Sequence, residues 1–340
     1  MSNIYARNVS EALYLGLMHL RTNGLWQETR TGKVLEAPNP VMTIYKRPEE
    51  RVLFYPQRDA NPFFHLFESF WMLYGRKDLA YIQKYNKRME EFSDDGKTLR
   101  GSYGYRWHTY FGFNQLEKII EHLEKEPNSR RAVLQMWHPN DLHLATKNSE
   151  IKDVPCNTQI YFKIKNDRLN MTVSCRSNDI IWGAYGANAV HFSVLQEYIA
   201  SSLGLSMGTY YHFSDSFHAY EDTYNKCLPI LEQKGKNEVL WYDSYLGWNK
   251  GMHYTPEHMF EEPDYILEDL DTWFKEDFYN PDVYYYNPFF KYTAIPMAFA
   301  WNFHKRQNYK EAIIEANKII SLDWKKASIE WLERRANNAK

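Results

Sequence analysis

The sequence of 340 residues contains few cysteines and carries almost no net charge. Its three cysteines, Cys156, Cys175 and Cys227, are an odd number and too few for a disulfide framework, which is typical of a reducing, cytoplasmic compartment. Lysine and arginine total 41 against 43 for aspartate and glutamate, so no global field attracts nucleic acid or an anionic membrane. No apolar run approaches the roughly 18 residues that a membrane span needs. We therefore expect a cytoplasmic globular protein that binds neither nucleic acid nor membrane.

The sequence also lacks the motifs of several enzyme classes. It has no P-loop, no dinucleotide-binding glycine pattern, no CxxC pair and no internal repeat, and we predict no metal site. Aromatic residues are abundant at 17%, including 27 tyrosines and 11 tryptophans. This abundance indicates wide packing interfaces or flat ligand surfaces.

Hydrophobic periodicity predicts a mixture of helices and strands. Helical spacing of apolar residues covers 9–20, 61–85, 114–126 and 188–203. Strand patterns cover 131–137, 158–165, 168–174 and 209–213, with Asn166-Asp167 joining the middle two as a hairpin. After Tyr220, acidic and aromatic segments with several prolines predict irregular structure and short helices, followed by a helix pair over 309–335.

Cys156 directly precedes the first strand of the predicted hairpin, where the rim of a sheet can present its thiol as a nucleophile. The alternative role, a small buried apolar residue, is at least as common for a single cysteine. Arginines stand at the ends of flanking strands, in Ser129-Arg130-Arg131 and in Arg176-Ser177-Asn178-Asp179. Guanidinium and hydroxyl groups are the donors that a dianionic phosphate accepts best, so the pattern favours a phosphate-bearing substrate.

The stretch from Arg30 to Tyr220 resembles the thymidylate synthase family, which includes the phage pyrimidine-nucleotide hydroxymethylases. The motifs that follow the family's order are Thr29-Arg30-Thr31-Gly32, Glu68 before Phe70-Trp71, Tyr103-Gly104, Ser129-Arg130-Arg131, Pro155-Cys156, Arg176 to Asp179, Asn188 and His218-Ala219-Tyr220. The resemblance implies an α/β fold with a large twisted mixed sheet and flanking helices. It further implies a catalytic domain over 1–220, with 221–340 as a mainly helical extension that stands apart or is integrated into the same domain.

The resemblance also implies how a nucleotide is held and activated. Cys156 would add to C6 of a pyrimidine ring, and Arg176 would lower the pKa of its thiol because positive charge favours the thiolate. The 5′-phosphate would be bound by Arg30, Arg176 and Ser177 and, from the other subunit of a homodimer, by Arg130 and Arg131.

Further roles follow from the same resemblance, each with a plainer alternative. Glu68 would relay protons to the base through water, or else serve as a cap or an ion-pair partner. Tyr103 would assist proton removal at C5. Asp179 would order the groups around the nucleophile, or only cap a turn. His218 and Tyr220 would bind the sugar 3′-hydroxyl, or form a polar pair at a strand end.

Asn188 bears on the identity of the base. An amide offers both a donor and an acceptor and so pairs with the O4 and N3–H edge of uracil, whereas a carboxylate suits cytosine. The preceding loop, 183–187, is one residue longer than in typical synthases and lacks their proline. With a shifted register Ala187 would face the base, and the choice between dUMP and dCMP would stay open.

Family members take their one-carbon unit from methylenetetrahydrofolate, and hydride gives a methyl group whereas water gives a hydroxymethyl group. Met89 stands about where synthases have a folate-facing tryptophan, and the sequence Cys156-Asn157-Thr158 is closer to that of the hydroxymethylases. The chain also continues long after Tyr220 in place of the short apolar tail that closes over folate and excludes water. We therefore predict hydroxymethylation of dUMP, with reductive methylation to dTMP as the alternative.

Two other classes fit less well. A non-catalytic nucleotide-binding homologue would be expected to have lost Cys156 or the arginines. A cysteine hydrolase with His218 as its base would leave the arginines unexplained, and the sequence has no oxyanion-hole signature.

Overall fold

Helices and strands alternate along the chain, and the computed structural model describes residues 1–147, 151–232, 245, 255–275 and 283–338. The strands are Ser2–Ala6 (β1), Leu25–Thr29 (β2), Gly32–Glu36 (β3), Val41–Tyr45 (β4), Val133–Gln135 (β5), Asn157–Lys165 (β6), Arg168–Asp179 (β7) and Ser206–Tyr220 (β8). The helices up to residue 232 are Val9–Asn23 (α1), Pro62–Leu73 (α2), Leu79–Ile82 (α3), Tyr103–His108 (α4), Gln115–Lys125 (α5), Pro139–Lys147 (α6), Asn188–Ser202 (α7) and Glu221–Glu232 (α8). The α-helices described after residue 255 are Ile266–Lys275 (α9), Ile295–Lys305 (α10), Tyr309–Ala316 (α11) and Leu322–Asn338 (α12).

The strands form one mixed sheet in the order β1, β4, β8, β7, β6, β5, with β3 also paired to β8 and β2 to β3. β1 is parallel to β4 and β7 is parallel to β8, whereas β4 with β8 and β6 with β7 are antiparallel. Helix α7 packs against β7 and β8, and α1 packs against β1 and β4. The predicted α/β class, a mixed sheet with flanking helices, is confirmed.

The hairpin of β6 and β7 forms as predicted. Asn166 and Asp167 have φ angles of 51° and 53°, the left-handed pair that a tight two-residue turn requires. β7 continues beyond the predicted end at Ser174 as far as Asp179. This continuation brings Arg176 alongside the residues that precede β6.

Helix α2 lies in the core, as its mostly apolar sequence predicts. The side chain of Asn61 caps its first turn and Pro62 occupies its first position. Every residue of the helix is buried, including Glu68 at 4% exposure. The helical pattern predicted over 61–85 is interrupted where Gly75 adopts a φ of 74°, and α3 follows.

Strands β1 to β4 are not predicted by the periodicity of the sequence. Each is only five residues long, and every residue of β2 is exposed, so no alternation of apolar and polar residues stands out. Pairing with β8 organises two of them, since β4 runs antiparallel along 210–214 and β3 along 218–220. The last strand therefore spans Ser206–Tyr220, far beyond the predicted 209–213.

The chain after Tyr220 is mainly helical where the structure describes it, as predicted for the extension. Residues 221–232 form helix α8, which packs on α1, β3 and β8. Residues 233–244, 246–254 and 276–282 of the same region lie outside the described residues. The helix pair predicted over 309–335 is confirmed as α11 and α12.

The C-terminal helices pack onto the buried helix α2. Helices α10 and α12 contact α2, and the rings of Trp301 and Trp331 lie 5.5 and 5.6 Å from that of Phe63. This packing joins the extension to the helix that carries Glu68. The division of the chain into domains at residues 220 and 221 stays a prediction.

One face of the sheet carries side chains that are exposed or half-buried. They come from six neighbouring strands and are Tyr5, Met42, Tyr211, Phe213, Thr172, Tyr161 and Val133. Their registers align across the sheet, with Met42 opposite Phe213 and Tyr161 opposite Val133. The result is a broad surface of aromatic and aliphatic groups.

Candidate active site

Cys156 stands directly before β6, half-buried, and is held by Arg176 on the neighbouring strand. The backbone N–H of Arg176 donates to the carbonyl of Cys156 at 2.9 Å. The Arg176 side chain donates through Nε to the carbonyl of Pro155 and through Nη2 to that of Val154, both at 3.1 Å. The structure therefore brings the predicted nucleophile and the predicted phosphate ligand together.

The pKa of the Cys156 thiol is set by opposing influences. Burial raises it, Arg176 lowers it, and Asp153 raises it again, so that the pKa lies above its ordinary value. Arg176 acts in the predicted direction, and desolvation outweighs it. Burial also raises the pKa of Cys227 to about 11 and raises that of Cys175. Cys156 is thus the thiol that combines partial exposure with an adjacent arginine.

Tyr103 begins helix α4 and reaches the residue that follows the nucleophile. Its hydroxyl forms a hydrogen bond with the backbone of Asn157, and its ring stacks on Phe192 with centroids 5.5 Å apart. Burial raises the pKa of Tyr103 well above its usual value, and the charge of Cys156 raises it further. Tyr103 therefore stays protonated as a hydroxyl beside Cys156.

Glu68 faces a histidine that the sequence does not single out. The Oε2 atom of Glu68 on α2 lies 3.0 Å from Nε2 of His191 on α7. Both side chains are buried, at 4% and 2% exposure. The proton relay predicted for Glu68 and its alternative as an ion-pair partner both remain open, and His191 is the group that would share in either.

Asp179 ends β7 and caps the turn that follows. Its Oδ1 accepts hydrogen bonds from the backbone N–H groups of Ile181 and Trp182 at 2.7 and 2.8 Å. Burial raises its pKa, whereas His218, opposite it in the β7 and β8 register, lowers it. The capping geometry matches the plainer alternative, and the predicted ordering of the nucleophile stays a prediction.

The ends of β7 and β8 meet the turn between β2 and β3. Tyr220 accepts or donates a hydrogen bond at 2.8 Å with Thr31, the residue next to the exposed Arg30. Ser177 lies opposite Ser216, whose hydroxyl is 3.0 Å from Nδ1 of His218. The predicted phosphate and sugar ligands of this chain therefore lie at the same end of the sheet. The roles of Arg30, Ser177, His218 and Tyr220 stay predictions.

Asn188 begins α7 directly after a wide π-helical turn. This turn spans Ile180–Ala187 and is interrupted at Tyr185 and Gly186. The amide of Asn188 donates through Nδ2 to Oδ1 of Asn178 at 3.3 Å. Asn188 is thus the residue that contacts the polar side chains of the sheet at this end of α7.

Arg130 and Arg131 lie away from the nucleophile of their own chain. Both are exposed on the connection into β5, whose Val133 is paired with Tyr161. Tyr161 is five residues along β6 from Cys156, which corresponds to about 17 Å at about 3.3 Å per residue. The two arginines are farther still, so the structure does not bring them to Cys156 within one chain.

A family model described as thymidylate synthase matches residues 14–241 of the chain. The chain belongs to the thymidylate synthase family. It is 43% identical, over 98% of its length and 95% of the relative's, to a protein of Pseudomonas phage M6 named deoxyuridylate hydroxymethyltransferase. A protein of the same name from Bacillus phage SP01 is 38% identical over 57% of this chain and 52% of its own length. A putative thymidylate synthase of Methanothermobacter marburgensis is 34% identical over 44% of this chain and 65% of its own.

Membership of the family confirms the resemblance on which the site was predicted. Within the described ranges, no group of three or more His, Cys, Asp or Glu is arranged to hold a metal ion. No helix in the part of the chain that the structure describes is long and apolar enough to cross a membrane.

Proposed function

We propose that this protein transfers a hydroxymethyl group to C5 of deoxyuridine monophosphate (dUMP), with methylenetetrahydrofolate as the one-carbon donor. The proposal is carried by the similarity to the phage M6 hydroxymethyltransferase, which extends over 98% of this chain and so includes the C-terminal helices. Thymidylate synthase family members use methylenetetrahydrofolate in general. The protein is accordingly a one-carbon transferase.

Cys156 is the nucleophile because C5 of a pyrimidine attacks carbon only after a thiolate has added to C6. When bound, methylenetetrahydrofolate supplies a one-carbon unit at the oxidation level of formaldehyde. Addition of the Cys156 sulfur to C6 leaves an electron pair at C5, which forms the new C5–C bond. Loss of the C5 proton and cleavage of the bond between the new carbon and the folate nitrogen release tetrahydrofolate and leave an exocyclic methylene on the ring. Water adds to this methylene, and departure of the sulfur from C6 gives the hydroxymethyl product and regenerates the thiolate.

Proton movements are assigned to the polar groups beside the nucleophile. The Tyr103 hydroxyl, hydrogen-bonded at Asn157, is suited to assist removal of the C5 proton. Oε2 of Glu68 lies 3.0 Å from Nε2 of His191, and the two side chains are an acid and a base that can pass a proton to and from water. Asp179 orders the start of the turn that leads to Asn188.

Nucleotide recognition is assigned to the end of the sheet where β7 and β8 finish. Arg30, Arg176 and Ser177 would hold the 5′-phosphate, and His218 with Tyr220 the 3′-hydroxyl, as the family pattern implies. Guanidinium groups suit a dianionic phosphate. Asn188 would bind the uracil edge.

The remaining two phosphate ligands are assigned to the partner of a homodimer. Arg130 and Arg131 are too far from Cys156 to act within one chain, and the exposed aromatic face of the sheet is a surface on which a second copy can pack. Mixing inactive Arg130→Ala/Arg131→Ala protein with inactive Cys156→Ser protein should restore activity, because one site of each mixed dimer is complete. If the mixture stays inactive although the subunits exchange, the shared site is wrong.

The folate donor needs a flat surface and cations for its carboxylate tail. Trp182 is 41% exposed, and the guanidiniums of Arg58 and Arg88 lie 4.8 and 5.3 Å from its ring. An exposed indole with guanidiniums beside it fits a flat heterocycle with a negative tail. Trp182 and Arg88 are therefore the residues that would hold the donor.

Trapping of the covalent intermediate tests the proposal. In 5-fluoro-dUMP, fluorine replaces the C5 hydrogen that must be lost as a proton, so the reaction with methylenetetrahydrofolate stops at that step. A ternary adduct should therefore accumulate on the peptide that contains Cys156. Cys156→Ser protein should form no adduct. Cys227→Ser is the matched control, since that thiol lies on α8 and is 1% exposed, and it should still form the adduct. Absence of any adduct on Cys156 in folded wild-type protein would overturn the proposal.

A further inference from the structure

A chain of hydrogen bonds runs from Asn188 into the sheet. Asn188 Nδ2 donates to Oδ1 of Asn178 at 3.3 Å. Asn178 Nδ2 lies 2.9 Å from His212 Nε2 and 2.9 Å from Ser214 Oγ. The other ring nitrogen, His212 Nδ1, lies 2.8 Å from the Tyr210 hydroxyl. The four residues behind Asn188 are all buried, so water does not compete for these bonds.

We infer that Asn178 is a positioning residue that fixes which end of the Asn188 amide faces the base, and so sets the preference for uracil over cytosine. The inference rests on the proposed function, in which Asn188 pairs with the pyrimidine. It goes beyond that function by assigning the choice of base to a second residue.

The reason lies in the symmetry of an amide. Uracil presents an acceptor at O4 and a donor at N3–H, whereas cytosine presents a donor at its amine and an acceptor at N3. An Asn188 side chain that is free to rotate by 180° exchanges its donor and acceptor and can pair with either base. With one N–H of Nδ2 donated to Asn178, the second N–H and Oδ1 of Asn188 remain in one orientation, the one that matches uracil.

His212 fixes the orientation of Asn178 in turn. Burial lowers the pKa of His212 to about 3, so its ring is neutral and has one N–H and one lone pair. The Cys175 thiol lies 3.4 Å from Nε2, and burial raises the pKa of Cys175 so that it keeps a proton to donate; the Asn178 amide lies 2.9 Å from the same nitrogen. Nε2 therefore carries the lone pair and accepts from Nδ2 of Asn178. This turns Oδ1 of Asn178 toward Asn188.

Gly183 leaves the space that the contact between the two amides requires. A Cβ at this position would stand 2.6 Å from Oδ1 of Asn178 and 3.1 Å from Nδ2 of Asn188. A side chain there would push the two amides apart. Gly183→Ala therefore breaks the link while both amides remain in the protein.

The experiment measures the dissociation constants of dUMP and dCMP for the full-length protein by calorimetry. Wild-type protein should prefer dUMP. Asn178→Leu removes the acceptor at similar volume and should reduce the preference by about tenfold or more. Gly183→Ala should reduce it in the same direction. Asn178→Asp keeps an acceptor toward Asn188 and should retain the preference.

A double variant separates orientation from general damage. In an Asn188→Ala background there is no amide to orient, so Asn178→Leu should leave the ratio of the two constants within about twofold. A purely structural role for Asn178 would weaken both nucleotides equally and leave the ratio unchanged in the single variant as well. If Asn178→Leu does not fold, Gly183→Ala carries the test.

The outcomes distinguish the inference from the function on which it rests. An unchanged dUMP preference in Asn178→Leu and Gly183→Ala overturns the inference and leaves the proposed function in place. Wild-type protein that binds both nucleotides equally also overturns the inference. Wild-type protein that binds neither overturns both.

Discussion

Replacement of Arg176 by methionine should raise the pKa of the Cys156 thiol and slow its alkylation at neutral pH. The guanidinium is held against the segment before β6 by its hydrogen bonds to the carbonyls of Pro155 and Val154. Two unit charges a few ångströms apart interact by about 3–4 kcal/mol at an effective dielectric constant of about 20. Arg176 is exposed, and solvent screening reduces this to about 1.4 kcal/mol, or about tenfold in an equilibrium constant.

The assay is the rate of Cys156 alkylation by iodoacetamide as a function of pH, followed on its peptide by mass spectrometry. Below the pKa, removal of this interaction lowers the thiolate fraction, and with it the rate, about tenfold. Arg176→Lys keeps a positive charge and should recover most of the rate. Asp153→Asn should shift the profile the opposite way above about pH 6, because the Asp153 carboxylate raises the thiol pKa. Identical profiles for wild-type and Arg176→Met protein would refute the assigned role of charge.

Three further predictions concern buried or half-buried polar side chains. Arg106→Leu should lower the free energy of unfolding by about 3–5 kcal/mol in urea titrations, and a loss below about 1 kcal/mol would contradict this. The change removes two bonds of 2.7 Å to Asp141, which is 0% exposed, and leaves this carboxylate the longer contact with Arg100 at 3.4 Å. Burial raises the pKa of Asp153 to about 6, so the protonated carboxyl favours the folded state at low pH, and this contribution to the free energy of unfolding is lost as the pH rises through that value. Asp153→Asn should therefore increase the free energy of unfolding by up to about 2 kcal/mol at pH 7 and not at pH 4. Thermal melts at both pH values would show this. His191→Phe should lower kcat about 100-fold while the Kd for dUMP changes little, and equal changes in both would argue for a role in binding instead.

The parts of the site that could be predicted from the sequence stand at element boundaries. Cys156 and Arg176 flank the hairpin whose turn, Asn166-Asp167, is evident from local residues alone. Their proximity follows from strand pairing, which hairpin geometry dictates. The burial of Glu68 follows in the same way from the apolar residues on most sides of α2.

Other features depend on contacts between distant parts of the chain. His191 meets Glu68 only because α7 packs on α2, and His212 meets Asn178 across the parallel pair β7 and β8. No local pattern marks either contact. The direction of the Cys156 pKa is also a balance between burial and the charge of Arg176, and the depth of burial is a property of the folded core.

The N-terminal strands show the same limit. β2 and β3 have no strand alternation that distinguishes them, and β3 is held by pairing with the end of β8. Helix α8 has four buried residues on one side, yet Pro229 within it and the acidic residues of its first turn weaken its local signal. Tertiary packing overrides propensity in both cases.

Mass spectrometry of the product tests the central claim most directly. Wild-type protein would be incubated with dUMP and methylenetetrahydrofolate in water labelled with heavy oxygen. The account predicts a nucleotide that has gained one CH2O unit with the labelled oxygen, together with tetrahydrofolate, and no product from Cys156→Ser protein. A methylated nucleotide together with dihydrofolate would contradict the claim, because it would show that hydride and not water completes the reaction.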